Sequence, residues 1–146
     1  MKKKEPNIYL LIGTYTDEKS NGIYVYTFDT VSGKSEYKSE IEIENPSYLA
    51  TDDEKKRIYA VSENDDNSAS VSAISFNQGN LEQINKQLTN GKSPCYVSID
   101  KKGKHVLTAN YSSGSISIFS TNSDGSLNPA SDVMSFKGEG VNKERK

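Results

Sequence analysis

The chain repeats itself at an interval of 48 residues. The stretch ENPSYLATDDEKKRIYAVSE (Glu44–Glu63) is echoed by KSPCYVSIDKKGKHVLTANY (Lys92–Tyr111), with Pro46 and Pro94, Tyr48 and Tyr96, Asp52 and Asp100, and Glu63 and Tyr111 each 48 apart. A third copy is present in part near the start. Aligning IYLLIGTY (Ile8–Tyr15), KRIYAVSE (Lys56–Glu63) and KHVLTANY (Lys104–Tyr111) puts Leu10, Ile58 and Val106 in one column. Thr14, Ser62 and Asn110 form a second column, and Tyr15, Glu63 and Tyr111 a third. Self-similarity at a fixed period marks a fold in which one supersecondary unit is stacked on its copies. The apolar, β-favouring content of the three segments predicts strands buried on both faces.

A second strand follows in every copy: GIYVYTF (Gly22–Phe28), SVSAISF (Ser70–Phe76) and GSISIFS (Gly114–Ser120). Val71, Ala73 and Ser75 alternate with Ser72, Ile74 and Phe76, the period of a β-strand. Turn signals come next, Ser32-Gly33-Lys34, Gln78-Gly79-Asn80 and Asp124-Gly125-Ser126, each leading into a weaker strand such as LEQINKQL. Pro46 and Pro94 introduce the short strands SYLAT and CYVSI, which close in the polar turns DDEKKR and DKKGKH. Four antiparallel strands per unit of about 48 residues describe a β-propeller blade, whose twisted sheet is buried only against neighbouring blades. A β-sandwich also spaces strands closely, but needs no register kept through three copies.

The phase of the repeat is offset. Residue 8 begins on the second strand of a unit, and the last ten residues, KGEGVNKERK, carry no strand pattern. The expected organisation is a tail over 1–7, blades over 8–44, 45–92 and 93–136, and a frayed tail over 137–146. A closed propeller takes roughly four to eight blades, and about two and three-quarters are present here. The expectation is therefore the N-terminal part of a longer ring of blades, with uncovered faces through which copies could self-associate.

Formal charge is −2 with a single cysteine in 146 residues. That balance implies no nucleic-acid surface, and Cys95 alone makes neither an internal disulfide nor a cysteine-based zinc site. Lys2, Lys3 and Lys4 read as a solvated terminus, and the apolar run Ile8–Ile12 is too short for a signal-peptide core. No segment has the length of a membrane span. A cytoplasmic location is expected, or a periplasmic one for a chain from which a leader has been removed.

The runs IYLLIGTYT, GIYVYTFD, NPSYLA, RIYAV and, above all, GKSPCYVSIDKKGKHVLTANYSSGSISIF resemble the lactonase-type seven-bladed β-propellers. That family includes bacterial 6-phosphogluconolactonases of the pentose phosphate pathway and related carboxymuconate-type lactone cyclases. The resemblance extends from Ile8 to about Arg145 and implies hydrolysis of a sugar lactone without metal or organic cofactor. In the family a histidine-containing motif and several arginines follow the segment equivalent to VNKERK, so the catalytic groups are expected beyond residue 146 and the chain alone is expected to be inactive. A non-enzymatic binding scaffold is the other reading, suited to the low arginine count.

Lactone hydrolysis needs a group to activate water and donors for the developing oxyanion. A phosphorylated sugar acid also calls for cations, preferably arginine forks, and the chain has only Arg57 and Arg145. The strand-exit columns mark where a ligand would meet these blades: Thr14 and Asn110, and Tyr15, Glu63 and Tyr111. Each could line a central cavity or instead cap strand-end backbone. Glu63 replaces a tyrosine of the other copies and could accept sugar hydroxyls or act as a base. His105, the one histidine, sits at the far end of its strand and should face the opposite rim. Cys95 reads as a small packed residue, and Glu63–Asp66 lacks EF-hand spacing, which leaves a hydrophilic loop.

Overall fold

In the computed structural model, residues 8–17, 19–138 and 140–142 are described, and they form eleven strands in three antiparallel sheets. The tail expected at 1–7 and most of VNKERK lie outside the described residues. The first sheet holds β1 (Ile8–Ile12), β2 (Gly22–Phe28) and β3 (Ser35–Glu42); the second holds β4 (Leu49–Asp52), β5 (Arg57–Ser62), β6 (Ser70–Asn77) and β7 (Asn80–Leu88). The third holds β8 (Pro94–Ile99), β9 (His105–Asn110), β10 (Ser115–Ser120) and β11 (Asp132–Ser135). Every sheet is a meander in chain order. This is the all-β, blade-by-blade architecture that the repeat predicts. No helix among the described residues is long and apolar enough to cross a membrane.

The apolar core lies between sheets and not within any one of them. Ile23 and Ile43 of the first unit pack on Ile58, Ala60 and Ile74 of the second. The opposite face of the second sheet, Tyr59, Val61, Val71 and Ala73, packs on Val97, Val106, Phe119 and Leu127. A two-sided covering explains why β5 is buried at nearly every position. It also corrects the expectation for its repeat partners: β1 alternates between exposed and half-buried residues, and β9 buries only alternate residues. The strand sequences are alike, but only the middle sheet has a neighbour on both sides. Ile8, Leu10 and Ile12 on one outer face, and Met134 and Phe136 on the other, remain exposed.

Polar latches fix the spacing between blades. The hairpin glycine of one blade meets the blade before it: a Cβ on Gly79 would fall 2.9 Å from the Tyr9 ring, and one on Gly125 2.4 Å from the Arg57 guanidinium. Tyr59 donates its hydroxyl to the Gly125 carbonyl at 3.1 Å, and Asn85 clasps the Leu127 backbone at both its amide and carbonyl. Tyr9 stacks edge-on against Phe76 with centroids 5.1 Å apart.

Asn110 belongs to this packing. It is 2% exposed, and its Nδ2 donates to Ser115 Oγ at 3.0 Å and Ser117 Oγ at 2.8 Å. Its Oδ1 accepts from Thr108 at 3.3 Å. The preceding blade leaves room for it only because residue 91 is glycine, where a Cβ would approach Nδ2 to 2.4 Å. In the second sheet Ser62 takes the place of Asn110 and is too short for the same task. Ser70, the counterpart of Ser115, is the one buried side chain without a hydrogen-bond partner among the described residues.

Asn110→Ser should destabilise the chain by about 1–3 kcal/mol in urea unfolding, since it leaves buried hydroxyls without their donor. Gly91→Ala should also destabilise, and the loss should shrink when combined with Asn110→Ala, because the double change removes the clash.

Four aspartates clamp turns through their carboxylates, and each is held below the usual carboxylate range. Asp29 accepts from the amides of Ser32 and Val31. Asp66 is lowered by the Ser68 hydroxyl and amide, Asp100 by the amide of His105, and Asp124 by the Ser126 hydroxyl and amide. A depressed folded-state pKa stabilises above the unfolded value and ceases to do so as pH falls through the folded one. Thermal midpoints should therefore be flat from neutral pH down to about 4.5 and fall below about pH 4. Asp100→Asn should reduce that acid slope.

Candidate functional site

Each four-stranded meander brings the end of its second strand beside the start of its first, so both meet at one rim. In the second sheet the Val61 amide donates to the Tyr48 carbonyl at 3.2 Å, and the Glu63 amide to the Asn45 carbonyl at 3.0 Å. In the third, the Tyr111 amide donates to the Ser93 carbonyl at 2.9 Å. Asn45 and Ser93 are themselves 48 apart, and both adopt left-handed backbone, with φ of 43° and 50°. Each precedes a proline, whose ring further narrows its choices. Such a conformation costs on the order of 1–3 kcal/mol and persists where surroundings over-determine it.

Those surroundings come from the preceding blade and, for Asn45, also from its own. Asn45 Oδ1 accepts from the Thr16 amide at 2.9 Å and its hydroxyl at 3.1 Å, while Nδ2 donates to Asn64 Oδ1 at 2.8 Å. Ser93 donates its amide to the Asn64 carbonyl at 2.9 Å and its hydroxyl to Asp65 at 3.0 Å. Asp66 is spent on Ser68. The acidic loop therefore holds blades together, and among the described residues no group of three metal-ligating side chains converges.

On this frame the two polar columns part company. Thr14 is half-buried and donates to the Gly22 carbonyl at 2.7 Å, Ser62 is buried, and Asn110 is sealed within the interface. The next residue along points the other way. Tyr15 is 63% and Tyr111 75% exposed. Glu63 lies half-buried between blades, and its Oε2 accepts hydrogen bonds from the Tyr15 hydroxyl at 2.8 Å and from Ser47 Oγ. Oε1 accepts none from the described residues. The Glu63 hydrogen bond, with smaller help from burial and from the carboxylate charge, raises the Tyr15 pKa and keeps the phenol protonated. The rim thus offers an oriented carboxylate oxygen, a protonated phenol beside it and a free tyrosine one blade further on.

Three rim residues escape a reading of strand exits alone: Ser47, Tyr48 and Tyr96. They sit at the entrances of the inner strands, and the Tyr48 and Tyr96 rings meet with centroids 4.7 Å apart. Their signal in the sequence is the 48-residue step itself.

The opposite rim carries His105, as its strand position predicts. It borders a cavity of about 470 Å3 with Lys55, Arg57 and Thr121. Arg57 donates to the Ser123 carbonyl there, which ties up part of its fork. A larger cavity, about 580 Å3, also opens on that side, between Tyr9 and Leu11 of β1 and Thr51, Asp52 and Ile58 of the second sheet. It runs along the unpaired edge of β1, remote from the exit columns. Cys95 is half-buried, its Sγ 3.9 Å from the Ala109 carbonyl.

Comparison with known proteins agrees with this geometry. Residues 9–146 match the family described as lactonase, seven-bladed β-propeller. The chain is 39% identical over 132 residues to a 6-phosphogluconolactonase of Bacillus subtilis, covering 88% of this chain and 38% of that protein. A 6-phosphogluconolactonase of Formosa agariphila is 33% identical over 137 residues, covering 90% and 39%. Among solved structures, a candidate 6-phosphogluconolactonase from Bacteroides fragilis superposes with a TM-score of 0.91 at 44% identity, over 97% of this chain and 40% of that one. The periplasmic gluconolactonase of Pseudomonas aeruginosa gives 0.80 at 32% identity, over 88% and 38%. The chain therefore spans about two-fifths of the length of these relatives. By fold, repeat and sequence it belongs to the seven-bladed β-propeller lactonase family.

Proposed function

We propose that the chain is the N-terminal portion of a sugar-lactone hydrolase, a 6-phosphogluconolactonase serving the pentose phosphate pathway, and that it supplies part of the substrate rim. The observation that carries this reading is the Glu63 carboxylate, gripped on one oxygen by Tyr15 and Ser47 from two blades and open on the other. A carboxylate so oriented accepts the hydroxyls of a polyol without having to reorganise. Tyr15 and Tyr111 flank it, with Thr14 and Asn110 fixing the strand ends from which they project. In the reaction water attacks the lactone carbonyl, the ring C–O bond breaks, and the alkoxide leaving group takes up a proton. Glu63 positions the sugar, and the water-activating base belongs to the remaining blades.

Phosphate recognition points the same way. Arg57, the one described arginine, lies on the opposite rim and is engaged with backbone. The cationic fork for a 6-phosphate thus falls to the rest of the ring, and the 146-residue chain should be inactive by itself. The relatives named for gluconolactone and for its 6-phosphate both fit the hydroxyl-accepting rim. A binding scaffold without chemistry would share the rim but not the turnover.

The protein carried on to a complete ring should hydrolyse 6-phosphogluconolactone well above its spontaneous opening, and the 146-residue chain should not. No turnover by the complete ring would refute the proposal. Glu63→Gln in the complete ring should lower kcat/KM by roughly 10- to 100-fold, the loss of a charge-assisted hydrogen bond. The same substitution should bring the Tyr15 pKa down towards its ordinary value, read from its ring carbon shift against pH.

A further inference from the structure

Four of the nine tyrosines stand at the strand-exit rim, and two of them have no task in the reading above. Tyr48 and Tyr96 occupy equivalent positions on adjacent inner strands. Their rings touch at 4.7 Å with planes inclined at 45°, yet they stay 41% and 47% exposed. Tyr59 shows what a packed tyrosine looks like in this fold, fully buried with its hydroxyl on a carbonyl. Neither the Tyr48 nor the Tyr96 hydroxyl makes a hydrogen bond to the described residues. Two large apolar faces are thus held side by side in water with both hydroxyls unused. Such a pair combines a broad aromatic face with two hydroxyls open to a ligand.

We propose that Tyr48 and Tyr96 are the stacking floor on which the sugar ring lies, and that they fix the orientation of its hydroxyls toward Glu63. The inference deepens the lactonase reading and rests on it. A pyranose-type ring presents its axial C–H groups as an apolar patch on one face and its hydroxyls around the edge. The floor complements the face, and the free Oε1 of Glu63 complements the edge. The two halves are mechanically joined. Ser47, whose hydroxyl holds Glu63, is the residue before Tyr48, and the left-handed turns at Asn45 and Ser93 set where both inner strands begin. An open-chain polyol has no such face, and a flat aromatic lactone has the face but no hydroxyl edge for the carboxylate. Tyr48 and Tyr96 are positioning residues that discriminate by ring shape.

The test uses 1,5-anhydroglucitol, a stable pyranose ring without a lactone, against gluconate as its open-chain counterpart. Titrated into the 146-residue chain with labelled tyrosines, the cyclic probe should shift the ring signals of Tyr48 and Tyr96, and gluconate should shift them far less. Tyr48→Leu and Tyr96→Leu, which keep apolar bulk but remove the π face, should each weaken the cyclic probe by roughly three- to tenfold. The Phe variants should bind it as the parent does. In a complete ring that hydrolyses the lactone, the Leu variants should raise KM by a similar factor and leave kcat nearly unchanged, the signature of lost uniform binding. Unmoved tyrosine signals, equal shifts with gluconate, stronger shifts with dihydrocoumarin, or Leu variants with parental affinity would each overturn the stacking floor. Intact cyclic-probe binding with no lactone turnover by the complete ring would instead overturn the lactonase reading and leave the floor standing.

Discussion

Everything in this fold depends on one constraint: a four-stranded sheet with apolar residues on both faces has nowhere to bury them but against its neighbours. The second sheet satisfies the constraint completely and is buried almost throughout at β5 and β6. The sheets beside it satisfy it on one face only. Burial here is a property of blade pairs, and each pair has its own apolar cluster. The polar contacts follow the same rule. Asn85 to Leu127, Asn45 to Thr16 and Ser93 to Asp65 all cross from one blade to the next. A site assembled at the rim therefore inherits its geometry from the angle between blades, and the Tyr15–Glu63 contact is one more such crossing.

Much of this was legible in the sequence because the repeat supplies what a single strand cannot. One segment such as RIYAVS is ambiguous, but three copies in register identify strand, turn and exit together. The strand content, the order within each sheet and the placement of His105 at the far rim all follow from that register. The direction of side chains at the exits does not. Thr14, Ser62 and Asn110 looked equivalent to their neighbours as cavity-facing groups, yet alternation along the strand turns them inward. Asn110 fits there because Gly91, from another blade, has no side chain. A compensation between residues of different blades leaves no periodic trace along the chain.

Tyr48 and Tyr96 show the converse case. The repeat marks them plainly, but a shared repeat position does not say whether a side chain packs or projects. The chain enters both inner strands through left-handed residues ahead of Pro46 and Pro94. Serine gives no sign of positive φ, and asparagine only a weak one.

A propeller built of equivalent blades is nearly symmetric, and symmetry alone makes a poor recognition site, because every blade would offer the ligand the same groups. Glu63 breaks that symmetry at one step. Where its counterparts are the tyrosines Tyr15 and Tyr111, it places a carboxylate against the first of them. The substitution converts one junction between blades into a donor–acceptor pair, with Ser47 as a second donor. The Tyr111 hydroxyl has no hydrogen bond to the described residues, and its ring is exposed. The structural role of the column, holding strand ends by their amides, is preserved because the backbone bonds of Glu63 and Tyr111 are the same. Only the side chain differs, so the backbone frame of the rim is the same at both steps.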